Sequence, residues 1–388
     1  MSALIVLSYL FNIISGFLKI PSVLLLITTG IALNYGGRNF GFHYPDTQFI
    51  LELLGIIGLI FIVLEGSLDL ELHRNKIPLI SRALIAALII LLATTAIITF
   101  LLEYTLQIPL RNAMIYAVPM GVISSAIAIP SVTGLSDVKK EFLIYESTFS
   151  DIIGIMLFNY VVLDSLFTFD SLGGFLLGIL MITLTSIGGT GLIIIFLNKT
   201  STKVRFYLIF AFLILIYAGA KLLHLPSLLV ILVFGLTLNN THIYIKGKLA
   251  QWLHPEVLKT ATKELKLITI ETAFIVRTYF FLLFGYSINL MLLKDQQVWI
   301  TGGLIVSSII VVRFIFLRFI SKTHVFPELF IAPRGLITII LFYSIPHKYK
   351  SELFNEGILL FVIIISSLLM MLGLLFSGKN YEKSLDQP

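Results

Sequence analysis

The residues best placed for chemistry lie in LIYESTFSDIIGIMLF, residues 143–158, a strongly apolar run that carries Glu146 and Asp151 among Ser147, Thr148 and Ser150. At 100° per residue, Glu146, Ser147, Ser150 and Asp151 fall within an arc of about 140°, while Phe149, Ile152 and Ile153 point elsewhere. An ionised side chain at the centre of an apolar layer costs roughly 2.5–3.5 kcal/mol on insertion scales. An acid is kept there either because a structural ion pair neutralises it or because it must take up a proton or cation reversibly. Glu146 fits the first reading better and Asp151 the second.

Two neighbouring segments could complete such a site. GVISSAIAIPSV, inside an apolar run at 111–134, contains Pro130. Proline removes a backbone donor and predicts a break or kink in the helix. Freed carbonyls, with Ser124, Ser125 and Ser131, would offer hard oxygen ligands suited to a small hard cation; an ordinary proline kink is the plainer alternative. FIAPRGLITII carries a matching interruption, with Pro333 and Gly335 breaking a run at 326–345 and Arg334 bringing a fixed positive charge. Two broken helices that cross would place their dipole ends centrally, where Arg334 could neutralise the negative ones. A snorkelling interfacial Arg334 is the alternative. Glu65 and Arg277 also sit deep in apolar runs. Arginine stays protonated in proteins, so Arg277 can only pair, with Glu146, Glu65 or Glu271 as candidates. Arg313 and Glu52 are expected nearer the membrane faces. His224 and His324 form no metal-ligand spacing, and no nucleotide-binding fingerprint occurs.

The elements that must position these groups are membrane helices. The 388 residues are 58% hydrophobic and 12% charged, with a mean hydropathy of +1.01; a soluble domain carries about 25% charged residues. Apolar runs long enough for a bilayer core of roughly 30 Å recur along the chain. The expected fold is an all-α polytopic membrane protein. Its thirteen spans fall near 3–18, 21–36, 48–70, 78–102, 111–134, 140–163, 171–197, 205–222, 226–240, 265–287, 297–320, 326–345 and 355–377. No cleavable signal peptide is expected, and the first run reads as the first span. There is no cysteine, so disulfide and thiol chemistry are excluded. The net charge of +6 reflects loop topology and does not indicate nucleic acid. Loops after odd-numbered spans hold most of the Lys and Arg, among them Arg74, Lys76, Lys139, Lys140, Lys246 and Lys248. The positive-inside rule then places the N-terminus outside and the C-terminus in the cytoplasm.

Two segments repeat. IPSVLLLITTGIALN at 20–34 and LPSLLVILVFGLTLN at 225–239 share Pro, Ser, Leu, Gly, Leu and Asn in register. One span later in each half, FIVLEGSLDL at 61–70 resembles FLLFGYSINL at 281–290. The first copy opens at the cytoplasmic side and the second outside, so the repeats, approximately 20–163 and 225–377, are inverted. Inverted repeats mark secondary transporters that work by alternating access, with a site near the midplane.

KIPSVLLLITTGIAL, LIFIVLEGSLDLEL, ISSAIAIPSV, YESTFSDIIGI, VRTYFFLLFG and PRGLITIIL, in this order along nearly the whole chain, resemble the monovalent cation/proton antiporters. The likeness is greatest to NhaP-type Na⁺/H⁺ exchangers, with a Kef-type flavour in SSAIAIP. The resemblance implies the Na⁺/H⁺ antiporter-like fold, with crossed broken helices at spans five and twelve. It also implies interleaved dimerisation and core subdomains in a homodimer of the cell membrane, with elevator-type movement of the core. Asp151 would bind cation and proton in turn, with Ser147 and Glu65 contributing, and Glu146 and Arg277 would form a buried ion pair. Na⁺ or Li⁺, with K⁺ as the alternative, and H⁺ would be the partners, with no cofactor, no enzymatic activity and no cytosolic regulatory domain. Two departures stand out: Ser150 replaces the usual Asn or Asp before Asp151, and the Thr-Asp that usually precedes the proline is missing. Ser150 cannot ionise, which favours electroneutral exchange. A Kef-like K⁺/H⁺ antiporter, an organic-ion symporter and a channel are the competing readings.

Overall fold

A computed structural model describes residues 6–11, 13–14, 21–39, 48–70, 72, 74–132, 134–162, 169–199, 205–222, 227–244, 255–321 and 325–385. Half of the first expected span, 3–18, lies outside them. The regular elements among the described residues are helical. They include α1 (Ser22–Asn39), α2 (Gln48–Asp69), α3 (Ile77–Leu106), α4 (Leu110–Gly121), α5 (Ser125–Ser131), α6 (Asp137–Val162) and α7 (Phe169–Lys199). Then follow α8 (Arg205–Leu222), α9 (Ser227–Asn239), α10 (Pro255–Ser287), α11 (Gln296–Ile315), α12 (Leu336–Tyr343) and α13 (Glu356–Leu385).

Five stretches among the described residues are long and apolar enough to cross a membrane: Ile77–Leu106, Leu110–Ser131, Leu258–Ser287, Gln296–Ile320 and Glu356–Phe376. Shorter apolar helices accompany them. The broken stretch Leu110–Ser131 is the most enclosed, with 83% of its apolar window buried against 44–61% in the others. Such a broken backbone is tolerated at membrane depth only where protein, not lipid, surrounds it.

The chain divides into two interleaved units. The first comprises Met1–Ile57, Pro78–Val162 and Ile275–Pro388; the second comprises Gly58–Ile77 and Leu163–Phe274. In the first unit α4, α5 and α12 pack on α6, and α11 packs along α13. Glycines set the closest approach of α1 to the end of α10. A Cβ on Gly30 would sit 2.1 Å from the Leu282 carbonyl oxygen, and one on Gly285 would sit 2.2 Å from that of Ile27. The Asn34 amide donates to the Tyr286 carbonyl in the same contact.

In the second unit α9 packs between α7 and α8. Gly235, which aligns with Gly30, presses on the end of α2, where a Cβ would lie 1.8 Å from Ser67 Oγ. Asn239, which aligns with Asn34, donates to the Leu70 carbonyl at 3.3 Å. Both copies of the repeated segment thus use their glycine and asparagine in the same way, each against a helix end carrying the second repeated motif.

Candidate ion-binding site

The centre of the first unit is where two helices stop short. Helix α4 ends at Gly121, Val122 is extended (φ −73°, ψ 129°), Ser124 likewise (φ −78°, ψ 112°), and α5 starts at Ser125. The break therefore falls at 122–124, and Pro130, expected to cause it, lies inside α5. The second interruption runs through 331–335 and ends where α12 begins. Residues 326–330, expected to be helical, form turns. The two breaks cross: Ser124 N–H donates to the Pro333 carbonyl at 2.9 Å. Gly335 makes the crossing possible, because a Cβ there would sit 2.7 Å from Ser124 Oγ and 2.6 Å from Ile127 Cδ1.

One face of α6 receives the first break. Ser150 Oγ accepts from Ile123 N–H at 2.9 Å, and Asp151 Oδ2 accepts from Ser125 N–H at 3.1 Å. One turn further along α6, Gly154 admits Val122, whose Cγ2 would stand 2.3 Å from a Cβ. Spacings of three and four residues put Ser147, Ser150, Asp151 and Gly154 on one stripe, so the stripe reads the extended segment almost residue by residue. Ser147 is buried and donates to its own helix at Ile144, which leaves its acceptor lone pairs uncommitted. Asp151 is 4% exposed. Its second oxygen, Oδ1, and the buried Ser124 Oγ have no hydrogen-bond partner. Orphaned buried oxygens are costly and uncommon, and these two belong to residues at the crossing.

Arg334 serves the negative helix end. Fully buried, it donates from Nε to the Met120 carbonyl at 2.6 Å. Nη2 donates to the Gly121 carbonyl at 3.2 Å and Nη1 to Ala332 at 2.7 Å. Its own N–H is held by Ser366 Oγ. The last carbonyls of α4, left without helix partners at the break, are thereby satisfied by a cation that also opposes the helix dipole. The snorkelling alternative does not describe this geometry.

The buried ion pair differs from expectation. Both carboxylate oxygens of Glu146 accept from Arg313, at 2.7 and 2.8 Å, and Arg277 is not its partner. Arg313, expected near a membrane face, is fully buried. Its Nε donates to the Glu328 carbonyl at 2.7 Å, and the Glu328 carboxylate meets Lys139 at 3.0 Å. Segment 325–330 is thus fastened to α11 and α6. Arg277 instead donates from Nη1 to the Ala126 carbonyl at 3.2 Å.

Of the residues singled out from the sequence, Ser124, Ser125, Ser150, Asp151, Pro333 and Arg334 meet at the crossing. Glu146 belongs to a separate ion pair, and Glu65 lies half-buried in the other unit. Sequence reasoning overlooked Gly154, although it continues the polar stripe by one turn. Lys139 and Glu328 gave no signal beyond charge near span ends.

Comparison with known proteins agrees with this architecture. The sequence matches the family model described as sodium/hydrogen exchanger, transmembrane, over residues 2–377. No curated protein sequence matches. The fold is similar to that of the sodium proton antiporter MjNhaP1 from Methanocaldococcus jannaschii at pH 8, with a TM-score of 0.70 and 21% identity; the match covers 96% of this chain and 94% of that one. An electron-microscopy structure of MjNhaP1 gives a TM-score of 0.67 at 21% identity, covering 97% of this chain and 94% of that one. With its apolar helices, its interrupted pair of helices and a family match over nearly its whole length, the chain belongs to the sodium/hydrogen exchanger family, and it is a transporter, not an enzyme.

Proposed function

We propose that this protein exchanges Na⁺ or Li⁺ for H⁺ across the cell membrane, one for one, with both ions competing for Asp151. Cation/proton antiport follows from the family; the choice of residue is carried by one observation. Asp151 is clamped through Oδ2 by Ser125 N–H while its buried Oδ1 is unpartnered. The clamp fixes the carboxylate without neutralising it, so Oδ1 can take a proton or lie against a cation, but not both at once. Ser124 Oγ, which has no partner and adjoins the anchoring Ser125, and the lone pairs of Ser147, one turn before Asp151 on α6, are hard oxygen donors of the kind that suits alkali cations.

Single charge exchange is supported by what surrounds Asp151. Ser150 cannot ionise, and Glu146 is committed to Arg313 through both oxygens. A loaded carboxylate then carries the same charge with H⁺ as with Na⁺, and the turnover is electroneutral. Alternating exposure by elevator-type movement is supported by the division into two interleaved units. The matching use of Gly30 and Gly235, and of Asn34 and Asn239, supports inverted repeats. The loop charges support an outside N-terminus and a cytoplasmic C-terminus, and the family likeness supports a homodimer.

The test is proton flux in proteoliposomes with Na⁺, Li⁺ and K⁺ added in turn, comparing the native chain with Asp151→Asn. Asparagine can still accept from Ser125 N–H but cannot ionise. The variant should fold and show no cation-driven proton movement. Full activity in Asp151→Asn would remove Asp151 from the mechanism. Cation conductance without proton coupling would replace the antiporter by a channel.

A further inference from the structure

We propose that Arg277 is a positioning residue for the ion site: its guanidinium replaces the helix hydrogen bond that Pro130 deletes from α5. In this way it fixes the short helix whose first amide holds Asp151. The inference rests on the antiport reading above for its functional consequence, but not for its geometry.

Helix α5 has seven residues and carries Pro130 as its sixth. In a regular helix the N–H of residue 130 would donate to the carbonyl four residues earlier, that of Ala126, and proline has no N–H to give. The neighbouring carbonyls are taken locally. Ser124 O accepts from Ala128 N–H at 3.0 Å and Ala128 O from Val132 N–H at 3.2 Å; Ile127 O accepts from Ser131 Oγ at 2.7 Å. Ala126 is 3% exposed, so its carbonyl has little access to water. Arg277 Nη1, arriving from α10, supplies the donor at 3.2 Å. A charged donor makes a stronger bond than the neutral amide it replaces.

Ala126 adjoins Ser125, whose N–H holds Asp151 Oδ2 at 3.1 Å. Movement of α5 therefore moves the clamp on the carboxylate. A misplacement of about 1 Å in such a site is enough to change function about a hundredfold. Arg277 is not needed by Glu146, which Arg313 occupies through both oxygens. Its bond to α5 is to a backbone carbonyl, and the role needs no contact with the transported ion.

The experiment is a double-mutant cycle between Arg277→Gln and Pro130→Ala in the full-length reconstituted protein. Na⁺-driven proton flux is measured together with hydrogen–deuterium exchange of peptides covering 122–132. In the native background Arg277→Gln should raise the apparent KM for Na⁺ about tenfold, the size of one charge-assisted bond, with a smaller change in maximal rate, and should speed exchange across α5. In the Pro130→Ala background the restored N–H takes the Ala126 carbonyl, and Arg277→Gln should change KM by less than about twofold. Arg277→Lys, which keeps a charged donor, should fall between, and it substitutes if the glutamine variant fails to fold. Equal KM increases in both backgrounds, or no effect of Arg277→Gln on KM and on exchange in the native background, would overturn the proposal. Failure of the native protein to move protons with any cation would sink the antiport reading instead, and the exchange measurements would still decide whether Arg277 holds α5.

Discussion

Replacing Arg313 by Met should be among the most damaging single changes that leave Asp151 untouched. The substitution removes two bonds to Glu146, at 2.7 and 2.8 Å, and one to the Glu328 carbonyl, at 2.7 Å. It leaves Glu146, 1% exposed, without its bonded countercharge. Breaking one side of a buried pair costs about 3–5 kcal/mol. Domains of 150–250 residues lose about 2–4 °C of Tm per kcal/mol, and larger chains less, so Tm should fall by about 5–10 °C. The assay is thermal unfolding in detergent, followed by loss of the monodisperse peak, for Arg313→Met, Glu146→Leu, Arg277→Met and the two double variants containing Glu146→Leu. Glu146→Leu/Arg313→Met should regain most of the loss, because an apolar pair needs no desolvation, giving a coupling of about 2 kcal/mol or more. Glu146→Leu/Arg277→Met should be additive within about 0.5 kcal/mol. Coupling of Glu146 to Arg277, and not to Arg313, would refute the pairing described for the core.

Gly154→Ala should push Val122 off α6, costing about 1–3 kcal/mol as overpacking does and slowing transport; Val122→Ala in the same chain should restore both, as read by Tm and proton flux. Arg334→Lys keeps a charge but loses the planar fork that reaches three carbonyls; a Tm drop of several degrees with strongly reduced flux is expected, and a native-like variant would show that charge alone suffices. Ser150→Ala leaves the Ile123 N–H buried without an acceptor, at about 1–3 kcal/mol, whereas Ser150→Thr keeps the oxygen; thermal unfolding should separate the two, with no voltage dependence of flux gained in either.

The polar stripe of α6 was legible because helical period and hydropathy together identify which side chains share a face, and no tertiary knowledge is needed for that. The second break was legible for a related reason: Pro333 and Gly335 flank a residue that no apolar helix keeps casually. The first break was misplaced because Val122, Ile123 and Ser124 carry no breaker of their own; they are held open by acceptors elsewhere, Ser150 Oγ for Ile123 N–H and the Pro333 carbonyl for Ser124 N–H. Pro130 drew attention away, yet it is accommodated within α5 by a donor from α10. The partner of Glu146 could not be read either. Arg277 and Arg313 both lie in apolar runs, and depth along a run says nothing about the segment that folds over its end. Arg313 is fully buried, and the turn at 326–330, held to Lys139, takes its third hydrogen bond through the Glu328 carbonyl.

The shortness of α5 and α12 bears on how the chain is made. At 1.5 Å per residue, seven and eight residues give only about 10–12 Å, well under half of a hydrocarbon core of roughly 30 Å. Neither piece can anchor itself in lipid. Helix α4 enters the bilayer with its final carbonyls lacking donors, and the donor that satisfies Gly121, Arg334, is synthesised 213 residues later. The ion site must then be among the last parts of the protein to assemble, after almost every other helix has been inserted. During synthesis the first half of the crossing has to be sheltered, by its own α6 or by insertion machinery, until the second half arrives to close it.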